Sequence, residues 1–177
     1  MVFGKTFRNA LLASLATAGC LVAGLPMVTQ AQGLPGLTLC WTGRCPKELN
    51  YRLDFGGRAD NFDRYRLRIP GRELNTAVSQ ITIAYPDYFT GSFDVNNIQV
   101  YVRDREVALK PVTWDQENRR LVIEPVETIG ANQALEVHLS NVKNPRYGGM
   151  FYFNASVQSP GDLPLLRYVG TWLITID

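Results

Sequence analysis

Histidine is nearly absent: His138 is the only one in 177 residues. A hydrolytic triad needs a positioned imidazole base, and a histidine-rich metal site needs several imidazoles, so one histidine supports neither. Cysteine is scarce as well, three in all, at positions 20, 40 and 45. A zinc site would need two more ligands than Cys40 and Cys45 supply, and their spacing in CWTGRC is wider than that of a C-x-x-C redox pair. Net charge is slight, with 18 Lys and Arg against 16 Asp and Glu. Lys5 and Arg8 lie within the first 31 residues, which hold no acid, so the remaining 146 residues carry 16 charges of each sign. A general nucleic-acid binder needs excess cation to displace counterions, and that class is disfavoured. Helical periodicity, internal repeats and low-complexity tracts are missing too. No carboxylate has a context that marks a glycosidase pair, and no cofactor motif occurs. The chain is therefore expected to work without catalysis, cofactor or metal.

What is present begins with a leader. Residues 1–31 combine a basic start (Lys5, Arg8), an apolar stretch from about Ala10 to Leu25, and small residues at Thr29 and Ala31. This is the pattern of a secretory signal peptide cut after Ala31. The apolar stretch is shorter than the roughly 20 residues that cross a bilayer and is closed by Pro26, so no stable membrane span is expected. Ala18-Gly19-Cys20 resembles part of a lipidation motif, but Thr17 stands where Leu is usual, which ranks lipidation below simple cleavage. In an exported chain, Cys40 and Cys45 most simply form a disulfide. Closing so short a loop restricts the unfolded chain by only about 2 kcal/mol, enough to clamp an arm over residues 32–50 but little for a core.

From Tyr51 onward, short runs of period two alternate with turn residues, the signature of strands. RYRLRIP sets Tyr65, Leu67 and Ile69 against Arg64, Arg66 and Arg68. SQITIAYP, NIQVYVRD, VALKPVTW, RLVIEP, ALEVHLS, MFYFNASVQ and RYVGTWLITI bring the count to about eight strands. Regular short strands over some 120 residues predict an all-β fold, a single immunoglobulin-like β-sandwich spanning residues 51–177. In NPRYGGMFYFNASV the glycine pair invites a phosphate-loop reading, but no Lys-Ser/Thr pair follows and Met150 to Val157 alternate as a strand does. The Pro and glycines then mark a bend, with Phe151, Phe153, Ala155 and Val157 facing the core.

The sharpest surface feature is the row Arg64, Arg66 and Arg68, spaced about 6 to 7 Å along one strand face. Such a row fits an acidic envelope protein or an anionic polysaccharide. The competing expectation, and the favoured one, is that cross-strand carboxylates neutralise it. His138 falls on a polar strand face with Glu136 and Ser140, where exposure is the plain expectation. Asp54, Asp60, Asn61 and Asp63, and then Asp87, Asp94, Asn96 and Asn97, are oxygen-rich stretches, yet neither has calcium-loop spacing and turn chemistry explains them equally well. Trp41, Trp114, Trp172, Tyr152 and Tyr168 raise carbohydrate binding, which needs exposed rings; Trp172 sits in a run apolar on both faces, as a central strand does.

The succession ITIAYPDYFTGSFD, IQVYV, VTWDQENRRLVIEP, EVHLSNVKNPRYGGMFYFNASV and SPGDLPLLRYVGTWLI resembles a cyanobacterial family of exported domains of unknown function, over nearly all of residues 49–177. YPDYF, LSNVKNP with the following GGM, and the LLRYVGTW ending are its most telling pieces. The resemblance implies a periplasmic or cell-envelope location, the thylakoid lumen included, and brings no catalytic or ligand residues with it.

Overall fold

The computed structural model describes residues 47–161 and 165–177. Ten strands form two five-stranded antiparallel sheets, so the sandwich expected from the alternation is present. In chain order they are β1 (Tyr51–Leu53), β2 (Phe62–Ile69), β3 (Gln80–Ala84), β4 (Ile98–Val102), β5 (Arg105–Val107), β6 (Thr113–Asp115), β7 (Arg120–Ile123), β8 (Leu135–Lys143), β9 (Gly149–Gln158) and β10 (Leu166–Ile176). One sheet runs β1-β2-β8-β4-β5 and the other β10-β9-β3-β7-β6. Two differences raise the count above eight. VALKPVTW breaks at Pro111, which cannot donate to a ladder, so its halves pair in opposite sheets. The three residues Tyr51–Leu53 form an edge strand on β2 that their short alternation did not reveal.

The alternation works because period two sends every second side chain to the space between the sheets. Along β9, Phe151, Phe153, Ala155 and Val157 are buried, and along β2 so are Tyr65, Leu67 and Ile69. Phe153 is fully buried, against the rings of Tyr65, Tyr85, Phe89 and Phe93. Trp172 is fully buried as well, and its indole N–H reaches across to the carbonyl of Arg68 at 3.1 Å, tying β10 to β2.

The end of the expected arm is built into this sandwich. Leu49 is buried, and its N–H donates to the Thr171 carbonyl on β10, while the next residue, Asn50, accepts from the Arg68 N–H on β2. Lys47–Asn50 thus cross from one sheet to the other. The approach is close: a methyl at Gly170 would lie 2.6 Å from Leu49 Cγ and 2.7 Å from the Lys47 carbonyl oxygen. The expected leader, Cys20, Trp41 and the pair Cys40 and Cys45 lie outside the described residues.

Asn144, the first residue of NPRYGGMFYFNASV, fastens one end of the fold. Its side chain accepts from the Tyr65 hydroxyl at 2.6 Å and donates to the Arg58 carbonyl at 2.8 Å, and its N–H donates to the Asn61 carbonyl. Asp63 does parallel work, being buried and accepting from the N–H groups of Phe55, Gly57 and Arg64 at 2.7–2.9 Å. The segment is a bend feeding a core strand, with no helix behind its glycines.

Candidate functional site: an arginine-walled trough on one sheet

Strand pairing decides which polar side chains meet on the outer face of the β1-β2-β8-β4-β5 sheet. Across β1, β2 and β8, Arg52 pairs with Arg66 and Arg66 with His138; one step along, Arg68 pairs with Glu136 and Glu136 with Tyr101 of β4. The side chains border an open trough of about 830 Å³, walled by Arg64, Arg66 and Arg68 on one side and by Gln99, Tyr101 and Arg103 on the other.

The arginines arrive there partly paired, short of the neutralisation that was the favoured expectation. Arg66 holds Asp54 through its Nε at 2.9 and 3.0 Å and is the least exposed of the three. Arg52 holds the same carboxylate at 2.8 Å, and Arg64 stands 3.8 Å from it while donating to Ser140 Oγ at 3.0 Å. Arg68 bonds Glu136 at 2.6 Å. Pairing is incomplete, however: Arg52, Arg64, Arg66 and Arg68 meet only Asp54 and Glu136, which leaves an excess of two positive charges. Burial pushes the Asp54 carboxyl upward, but hydrogen bonds from Arg66 and Arg52 outweigh it and hold the group below its ordinary value. Burial likewise raises Glu136, and hydrogen bonds from His138 and Arg68 outweigh it, so that carboxyl too is held low.

His138 is not the exposed histidine expected from its place on the strand. Its side chain is 12% exposed, its ring centroid lies 4.5 Å from that of Tyr101, and its Nε2 is 2.7 Å from Glu136 Oε1. Cross-strand neighbours cover it, which one strand's alternation cannot show. Glu136, His138 and Ser140 share this face, but the serine hydroxyl accepts from Arg64 and the imidazole is held by the glutamate.

Asp60 and Asp94 of the oxygen-rich stretches are engaged by neighbouring side chains. Asp60 pairs with Lys143 at 2.9 Å. Asp94 accepts from the Asn96 N–H and from the amides of Asn97 and Asn141 at 2.6–3.2 Å. Among the described residues no three His, Cys, Asp or Glu side chains come together to hold a metal ion. Of the aromatic candidates, Trp172 is core and Trp114 is half-buried with its N–H on the Tyr85 hydroxyl at 2.7 Å; Tyr152 and Tyr168 lie on the outer face of the other sheet. Sequence reasoning missed Asp54 as the hub of the arginine cluster beside the trough, because its partners come from positions 52, 64 and 66 on two strands. The signal available was a lone acid at the edge of an arginine-rich hairpin.

Two packed antiparallel sheets with a polar outer trough define a β-sandwich, and fold alone assigns no activity. Residues 39–176 match the family described as "Protein of unknown function (DUF2808)", and the chain belongs to that family. No curated protein matches the sequence. Among solved structures the chain is similar to the collagen-binding domain of a Staphylococcus aureus adhesin, at 13% identity, covering 72% of this chain and 95% of that one, with a TM-score of 0.42. BslA, a bacterial hydrophobin, is similar at 14% identity over 73% of this chain and 95% of its own, TM-score 0.44. An uncharacterised protein from Nocardia farcinica, described as having an immunoglobulin-like fold, is similar at 12% identity over 73% and 97% of the two chains, TM-score 0.38. Among the described residues no helix is long and apolar enough to cross a membrane.

Proposed function

We propose that this protein is an exported, non-catalytic binding module of the cell envelope, and that the arginine trough is its recognition surface for an acidic segment of another envelope protein. The observation that carries the reading is the incomplete pairing around Asp54 and Glu136, which leaves two guanidinium charges in excess on one concave face. Arginines already ordered by carboxylates present their remaining N–H groups in fixed directions, which suits bidentate capture of further carboxylates. Export rests on the leader-like residues 1–31 and on the resemblance to periplasmic and envelope proteins of cyanobacteria; in such a compartment Cys40 and Cys45 form a disulfide. Two reactive thiols in the native protein would remove that last element.

The test keeps the fold intact by sparing Arg66, the least exposed of the three, whose Nε bonds both oxygens of Asp54. Arg64→Gln and Arg68→Gln are combined and compared with wild type for binding to a poly-glutamate peptide and to polygalacturonate in low salt. Peptide binding that falls at least tenfold in the double variant and weakens with salt is the expected result. Preference for polygalacturonate would replace the protein partner by an anionic polysaccharide at the same trough. Equal binding by wild type and variant, or none by either, would remove the trough as a site.

A further inference from the structure

The two outer faces of the sandwich differ in kind. Opposite the arginine trough, strands β10, β9 and β3 send only uncharged side chains to their shared outer face; charges border it as Glu48, bridged to Thr171 along the β10 edge, and as the Arg120–Asp115 pair on β7 and β6. On β9 the outward positions are Met150, Tyr152, Asn154, Ser156 and Gln158. In register with them, Tyr168 lies opposite Ser156, Thr171 opposite Asn154, and Gln80 opposite Gln158.

A hydrogen-bonded chain orders the middle of this face. The Thr171 hydroxyl donates to Asn154 Oδ1 at 2.6 Å, and the Tyr168 hydroxyl lies 2.6 Å from the same Thr171 oxygen. Threonine has one hydroxyl proton, so the tyrosine is the donor in that second bond. What remains directed outward is the Asn154 amide as donor and the Tyr168 oxygen as acceptor, on a tyrosine that is 44% exposed. Tyr152 stands four residues along β9 from the position facing Tyr168, about 13 Å away.

The geometry points to a second binding surface, for a neutral polysaccharide, centred on Asn154 between Tyr152 and Tyr168. A neutral glycan offers hydroxyls that donate and accept, matching an amide beside a phenol oxygen, and apolar ring faces that lie against aromatic rings. A charged partner would lose solvation here without gaining an opposite charge, whereas an uncharged one is not penalised in this way. The distance between the tyrosines requires an extended chain of sugars, since one ring cannot touch both. This surface is independent of the arginine trough and stands or falls separately from it.

Affinity electrophoresis of the full mature chain through gels containing hydroxyethylcellulose, mixed-linkage β-glucan or glycogen tests the inference. Retardation by at least one of these, weakened at least tenfold in Tyr152→Ala with Tyr168→Ala and in Asn154→Ala, and unchanged in Arg64→Gln with Arg68→Gln, is expected. Asn154→Ala removes the acceptor of the Thr171 hydroxyl, so a urea midpoint near that of wild type is required of it before its migration is read. The inference is overturned if none of the three polymers retards the wild type, if the face variants migrate as wild type does, or if the arginine variant loses binding as well.

Discussion

The Tyr65 hydroxyl donates to Asn144 Oδ1 at 2.6 Å in the interior, joining β2 to the bend before β9. Burial and the nearby Asp63 carboxylate raise the tyrosine's pKa far above its ordinary value, so the donor stays protonated throughout the working range. Tyr65→Phe removes the donor and leaves a buried amide oxygen without that partner. A loss of about 1 to 3 kcal/mol in urea unfolding is expected. A variant as stable as wild type would mean that water or a shifted Asn144 replaces the bond.

Phe153 offers a larger effect. Its ring is fully buried among four other aromatics, so Phe153→Ala leaves a cavity that the sheets close only in part. The expected cost is about 3 to 5 kcal/mol. A change below about 1 kcal/mol, ordinary for a surface site, would contradict the facing of β9.

Gly170 is required by close approach. Its φ of 156° accompanies a bulge in β10, and an added methyl would meet Leu49 and the Lys47 carbonyl at 2.6–2.7 Å. Gly170→Ala is expected to cost about 1 to 3 kcal/mol by overpacking. Faster amide hydrogen exchange at Leu49 and Thr171, with β3 and β7 unchanged, would show that residues 47–49 have lifted from the edge. Uniform exchange would argue that the strain is absorbed elsewhere.

Acid should weaken the fold through the trough. Asp54 and Glu136 have folded pKa values lowered from their ordinary 3.8 and 4.5. Groups lowered by folding contribute stability that is complete above the unfolded values and is lost as pH falls through the folded ones. Urea midpoints are therefore expected to hold from pH 7 to about 5 and to decline below it. Asp54→Asn should show a shallower decline, and an identical slope in that variant would exclude Asp54 as a contributor.

Much of the sandwich was legible because burial on one sheet face writes itself as period two. Seven of the eight alternating runs each fell on one strand, and the buried faces of β2 and β9 were assigned residue by residue. The division of VALKPVTW between two sheets was not legible, since a proline reports a break in pairing and is silent on where each half goes next. Leu49 escaped for a related reason: one apolar residue in a short polar segment has no period, and its burial depends on Gly170 lying across from it.

The candidate sites divide in the same way. Sequence alone placed Arg64, Arg66 and Arg68 on one face, because alternation within a strand is a local property of the backbone. Which carboxylates would meet them was decided by the register of β2 against β1 and β8, a relation between residues as far apart in the chain as Arg66 and Glu136. His138 shows the same limit, its polar side and its neighbour Glu136 on β8 being evident and its covering by Tyr101 being a matter of the neighbouring strand β4. So too the contrast between a charged face and an uncharged one: each strand's polar residues could be read, but only sheet order determined which of them share a surface. Local sequence determined the alternation and hence the core, whereas charge balance across a face is a sum over strands that pairing alone brings together.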